Sequence, residues 1–145
     1  MTRSTTWLVV TTAVVSAGLA GAWTATGAAQ GGRSVIQRMN PPGLSTPTGY
    51  SHVVSARGGR TVYIAGQVAL DAKGQVVGDG DLAAQTRQVF ANLETALKAA
   101  GASFDDVVKM NTYMRDATQL QVYRDARAKH FTKALPASTL VEVSR

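Results

Sequence analysis

The stretch DLAAQTRQVFANLETALKAAG, Asp81 to Gly101, decides the fold. Leu82, Val89, Phe90, Leu93, Ala96, Leu97 and Ala100 recur at i, i+3, i+4 and i+7 spacing, which puts them on one face of a helix. Asp79 or Asp81 is placed to cap the first turn, and Gly101 to end the helix in the left-handed conformation. A helix with one apolar stripe needs a surface to cover it, and a sheet is the expected cover.

The flanks supply that sheet. Upstream, Tyr50 to Ala56 alternates, with Tyr50, His52, Val54 and Ala56 on one face. RGGR (57–60) is predicted to be a hairpin turn, and TVYIAGQVAL (61–70) its nearly all-apolar, central partner strand. DAKGQVV (71–77) is a second turn with Gly74 at its tip. Downstream, SFDDVVKMNTYMRD (103–116) begins polar and becomes a strand with Val108, Met110, Thr112 and Met114 on one face. A second helix is predicted over 118–133, with Thr118 as its cap and Leu120, Tyr123 and Phe131 as its main apolar residues. PASTLVEV (136–143) is a last strand. The order strand, strand, helix, strand, helix, strand predicts an α+β domain with a mixed sheet and both helices on one face.

Composition agrees with one folded domain. The chain has 145 residues, 45% of them hydrophobic and 17% charged, too apolar for a disordered segment. Fifteen Lys and Arg against nine Asp and Glu give a formal charge of +6. The basic residues are scattered and little interleaved with aromatics, so a solvated basic surface is expected and no nucleic-acid partner. Cysteine is absent, which excludes disulfides, thiolate catalysis and cysteine-based metal sites.

The first 29 residues have a different layout. Arg3 precedes an apolar, uncharged run from Trp7 to about Trp23, followed by the small-residue sites Ala20-Gly21-Ala22 and Gly27-Ala28-Ala29. This is the plan of a secretory signal peptide. Export to the periplasm or medium is expected, with tethering by an uncleaved anchor as the alternative and no stable span after cleavage. Residues 30–48, rich in Gly, Pro, Ser and Thr, are expected to form an extended linker or arm.

Catalytic signatures are sparse. The sequence has no phosphate loop, no dinucleotide fingerprint and no Gly-x-Ser-x-Gly. His130 is expected on the surface, while His52 is a weak site candidate. Asp71, Asp79, Asp81, Asp105, Asp106 and Asp116 fall at turns and caps, and Glu142 in the last strand.

Taken in order, the passages ending in Gly66-Gln67, Gln85-Thr86-Arg87 and AAGASFDDVVKMNTYMRD resemble the reactive-intermediate deaminase (Rid, or YjgF-like) family over about residues 49–145. The resemblance implies a chorismate-mutase-like α+β fold and a homotrimer with clefts between subunits. It implies hydrolysis of enamines or imines to 2-keto acids and ammonia, with a small-molecule substrate, no metal and no organic cofactor. It also implies that a family domain would add one further strand, bearing a glutamate, after the last one here.

Carried over by position, the resemblance marks Tyr50, Gly66, Gln67, Arg124, Ser138 and Thr139 as substrate-binding residues. Active deaminases have an arginine where Pro136-Ala137-Ser138-Thr139 presents Ser138. A hydroxyl cannot grip a carboxylate as a guanidinium fork does. The expectation is therefore a metabolite-binding cleft with weak or altered deaminase activity. The alternative is an active 2-imino acid deaminase, with Arg124 as a relocated anchor.

Overall fold

The computed structural model describes residues 8–17, as backbone, and residues 35–144. Six strands and two helices follow in the order β1 (Leu8–Ala17), β2 (Val35–Met39), β3 (Val53–Arg57), β4 (Arg60–Tyr63), α1 (Leu82–Ala99), β5 (Val107–Met114), α2 (Leu120–Ala128) and β6 (Ala137–Glu142). The main sheet runs β4-β1-β5-β6, and β2 and β3 form a separate two-stranded sheet. β5 and β6 are parallel, and β1 is antiparallel to both of its neighbours. The mixed α+β architecture is the expected one.

Helix α1 obeys its period. Asp81 caps it, accepting from the backbone N–H of Ala84 at 3.0 Å. Past its C-terminus, Gly101 has φ +70° and Ala102 N–H returns to Leu97 O at 2.9 Å. Leu82, Val89, Phe90, Leu93 and Leu97 are buried against Val107, Met110 and Met114 of β5 and Tyr123 of α2. Phe90 is fully enclosed, and burying a side chain of that size contributes about 2–3 kcal/mol. Its ring meets Phe104, Tyr123 and Phe131 at centroid distances of 5.9, 6.4 and 6.2 Å. Two polar residues share the buried stripe, Gln85 and Thr86. Thr86 Oγ1 donates back to Leu82 O, whereas neither polar atom of the Gln85 side chain has a partner.

The face presented by β5 differs at one residue. Met110, Thr112 and Met114 are buried as expected, but the next apolar contact is Val107 and not Val108. The pairing with β1 shifts register here: Val14 faces Lys109 and Val15 faces Val107. An extra residue in one strand interrupts the two-residue alternation, so Val107 and Met110 both reach the core.

Strand partners depart further. Gly58 and Gly59 have φ +71° and +75°, as a turn demands, but β3 pairs with β2, with Val35 opposite Arg57 and Met39 opposite Val53. The expected hairpin between 50–56 and 61–70 is therefore not formed, and the arm 30–48 contains a paired strand. Nor is 61–70 a central strand: β4 ends at Tyr63, lies at an edge of the main sheet, and leaves Tyr63 74% exposed. The apolar residues that follow, Ile64 and Ala69, are buried in irregular chain. The turn at Gly74 forms as expected, with Asp71 Oδ1 accepting from Lys73 and Gln75 N–H.

The second helix is shorter than 118–133. A 3-10 turn over Ala117–Gln119 is capped by Asp116, not Thr118, and α2 follows over Leu120–Ala128. Of the expected leader, Leu8–Ala17 forms β1 between β4 and β5; the rest of residues 1–29 lies outside the described residues.

Candidate functional site

Tyr50 stands where two elements converge. Ser51, next to it, donates its N–H to Pro136 O at 3.1 Å and its Oγ–H to Leu135 O at 2.8 Å. Gly49, on its other side, accepts a hydrogen bond from Nη1 of Arg127 on α2. Gly49 has φ +79°, and a Cβ there would lie 3.1 Å from that nitrogen. Tyr50 is thus bracketed between α2 and the Leu135–Pro136 entry to β6. Its half-buried ring meets His52 edge-on at 5.2 Å. His52 is held in turn by a 2.8 Å contact from Nε2 to Ser45 O.

Strand β6 carries the next two candidates. Parallel pairing sets Ser138 opposite Met110 and Thr139 opposite Asn111. Ser138 is half-buried; Thr139 is exposed and accepts from Lys109 Nζ at 2.6 Å. Glu142, in the same strand, caps the 3-10 turn by accepting from Ala117 N–H at 2.8 Å, a structural task.

The remaining candidates lie elsewhere. Gly66 and Gln67 follow β4, and the Gln67 amide donates to Ala65 O at 3.1 Å. Strands β1 and β5 separate β4 from β6, three strand spacings or roughly 14 Å. Arg124 is an exposed residue of α2. One subunit therefore ties the Tyr50 segment to the entry of the strand that carries Ser138, whereas Gly66 and Gln67 follow the strand at the far edge of the sheet and Arg124 lies on the exposed side of α2, one turn before Arg127.

The cation in that neighbourhood is Arg127, which sequence reasoning missed. It is 7% exposed, and its guanidinium lies 5.1 Å from the centroid of the Phe131 ring. Burial pushes its pKa down; an arginine nonetheless stays charged at any ordinary pH. A signal was available: Tyr123 and Arg127 fall at i and i+4, so Arg127 shares the apolar face of α2. Ser51 was also missed, because its partners are backbone carbonyls more than eighty residues away.

Two other titrating groups serve packing. The Tyr123 hydroxyl, 2.8 Å from Thr112 Oγ1, is pushed up in pKa by burial. His130 is not a plain surface residue: its ring stacks on Phe90 at 4.7 Å and 10°, and burial lowers its pKa.

Comparison with known proteins agrees with this architecture. The family model described as Endoribonuclease L-PSP matches residues 43–145. The chain is 37% identical to a RutC family protein of Pyrococcus horikoshii over 78% of this chain and 86% of that one. It is 33% identical to a 2-iminobutanoate/2-iminopropanoate deaminase of Bos taurus over 77% and 79%. Among solved structures, the Rid family protein YyfB of Yersinia pestis superposes with a TM-score of 0.70 at 37% identity, covering 76% of this chain and 86% of that one. RidA of a Psychrobacter species gives 0.55 at 32%, covering 69% and 79%. A fold built from α1 packed on a mixed sheet, and matching motifs along residues 43–145, lead to one assignment: the chain belongs to the Endoribonuclease L-PSP, or Rid (YjgF-like), family.

Proposed function

We propose that this chain is a Rid-family subunit whose cleft binds a small carboxylate-bearing metabolite and hydrolyses enamines or imines weakly or with altered specificity. The observation that carries this reading is the place of Ser138. It lies beside the Tyr50 neighbourhood, on the strand entered through Leu135 and Pro136, and it offers a hydroxyl where active deaminases would offer a guanidinium. The alternative, an efficient 2-imino acid deaminase, is favoured by the 33% identity to the Bos taurus enzyme of that name.

The chemistry asks little of the protein. Water adds to the imine carbon, a proton passes to nitrogen, and the carbon–nitrogen bond breaks as the carbonyl forms. Ammonia and a 2-keto acid leave. The site's contribution is to hold the carboxylate and to orient the reacting carbon towards water. Tyr50 provides an aromatic wall and a hydroxyl, while Ser138 and Thr139 provide further hydroxyls at one rim. Gly66 and Gln67 follow β4, the strand at the opposite edge of the sheet from β6, a placement that suits their completing the site of a neighbouring subunit. That separation supports a homotrimer with its clefts between subunits.

The layout of residues 1–29 supports export to the periplasm or medium. Cleavage there and retention of β1 are alternatives for the same residues. Among the described residues, no helix is long and apolar enough to cross a membrane.

The test is ammonia release from imines generated in situ by an amino-acid oxidase acting on 2-aminobutanoate. A small acceleration over buffer is expected. Acceleration to the level of an efficient deaminase favours the alternative, and no acceleration overturns both.

A further inference from the structure

We propose that Arg127 is a buried anion grip whose Nε–Nη2 edge takes the carboxylate of the ligand beside Tyr50. This deepens the reading above, because it names the group that replaces the arginine missing at position 138.

The argument rests on which nitrogens are used. Nη1 donates to Gly49 O. Nε and Nη2 are shut from solvent and have no hydrogen-bond partner. These two N–H groups point in the same direction and form the side-on edge of the guanidinium, the fork that meets both oxygens of one carboxylate. The single ion pair found among the described residues, Lys98 with Glu94, does not involve Arg127. The charged neighbour that acts on it is Arg124, of like sign.

A buried cation without a counter-charge is costly, and an apolar residue of similar volume would suit the face shared with Tyr123 and Phe131 better. The position makes sense when an anion completes it. One guanidinium nitrogen holds Gly49 in place while the other two remain available, so the residue both shapes the Tyr50 neighbourhood and carries its positive charge. Entry requires the exposed loop ending at Gly49 to give way, since that loop is fastened to Arg127 itself. A planar carboxylate next to a carbonyl or imine carbon fits the fork, with its reacting carbon directed towards Tyr50.

Calorimetric titration of the full chain with 2-oxobutanoate, its methyl ester and inorganic phosphate tests the grip. The acid is expected to bind and the ester not. Arg127→Lys, which keeps the charge and loses the fork, is expected to weaken binding about tenfold or more, while Arg87→Lys on the exposed face of α1 changes nothing. Unchanged binding in Arg127→Lys, equal binding of the ester, or no binding of the acid by the wild type overturns the proposal. Phosphate binding as tightly as the acid overturns the carboxylate assignment.

Because Arg127→Lys could misfold, a second measurement uses the wild-type chain alone. 2-Oxobutanoate is expected to protect Arg127, and not Arg87, from an arginine-specific dicarbonyl reagent, as read by peptide mass mapping. Equal protection of both, or none, overturns the grip. Binding through Arg127 with no ammonia release sinks the deaminase reading alone; ammonia release unaffected by Arg127→Lys sinks the grip alone.

Discussion

Arg127 and Gly49, 78 positions apart in the chain, are joined by a hydrogen bond from the guanidinium Nη1 to the glycine carbonyl. The bond fixes the residue before Tyr50 in the left-handed conformation, with φ +79°. A side chain at position 49 would oppose both the backbone angle and the guanidinium. Gly49→Ala is therefore expected to destabilise the chain by about 1–3 kcal/mol, measured by denaturant unfolding. A change below a few tenths would mean that the contact carries no weight.

Placing a positive charge at position 138 tests the proposed role of Ser138. Ser138 is half-buried on β6, one residue after Ala137 and two after Pro136. Ser138→Arg is expected to raise ammonia release from imino acids by about tenfold or more, the worth of a charged hydrogen bond. No gain would show that a guanidinium at position 138 is not what limits the activity.

Stability should respond to pH through His130. Burial against Phe90 and Phe104 lowers its pKa, Glu94 opposes that shift, and Lys129 adds to it. The unfolded chain then binds the proton more readily than the folded one. The histidine's contribution is complete above the unfolded value of about 6.5 and declines as pH falls through it towards the folded value. The melting midpoint should drop as pH falls below about 6.5, and His130→Gln should flatten that drop.

Gln85 offers a stability test on the core. It is fully buried on α1, and its amide nitrogen and oxygen lack partners. Leaving such a group unsatisfied costs about 1–3 kcal/mol. Gln85→Met keeps the volume and removes the polar atoms, so the unfolding midpoint should rise. A fall would show that the amide is satisfied in the assembled protein.

The place of β1 makes a prediction about processing. Leu8–Ala17 pairs with both β4 and β5, so removing residues 1–29 leaves two strand edges bare in the middle of the sheet. Bare edges invite pairing with other chains. The shortened protein is expected to melt lower and to aggregate, seen by thermal denaturation and size-exclusion chromatography. Equal behaviour of the two forms would make β1 dispensable, and the amino-terminal residue of exported protein, read by mass spectrometry, shows which form occurs.

What the sequence determined is what depends on near neighbours. The 3.6-residue period of α1, its Asp81 cap and its Gly101 terminus are local, as are the Asp71–Gln75 turn and the strand character of 107–114 and 137–142. The order of elements from β3 onward followed, and with it the family. Tertiary structure decided the partners. Whether β3 pairs with β4 or β2 turns on which distant edge is open, and two glycines at 58 and 59 allow a turn without dictating its neighbours. The bulge that brings Val107 inward, and the edge position of β4, come from its pairing with β1.

The candidate site divides in the same way. Tyr50 and Ser138 could be named from motif positions, but their common neighbourhood is made by bonds from Ser51 to Leu135 and Pro136. Arg127 reads in sequence as one more basic residue on a charged helix. Its spacing from Tyr123 hints at the apolar face, but packing is what encloses it near Phe131 and Gly49 with two nitrogens free, because burial of a charge is a property of what surrounds it and not of the residue itself.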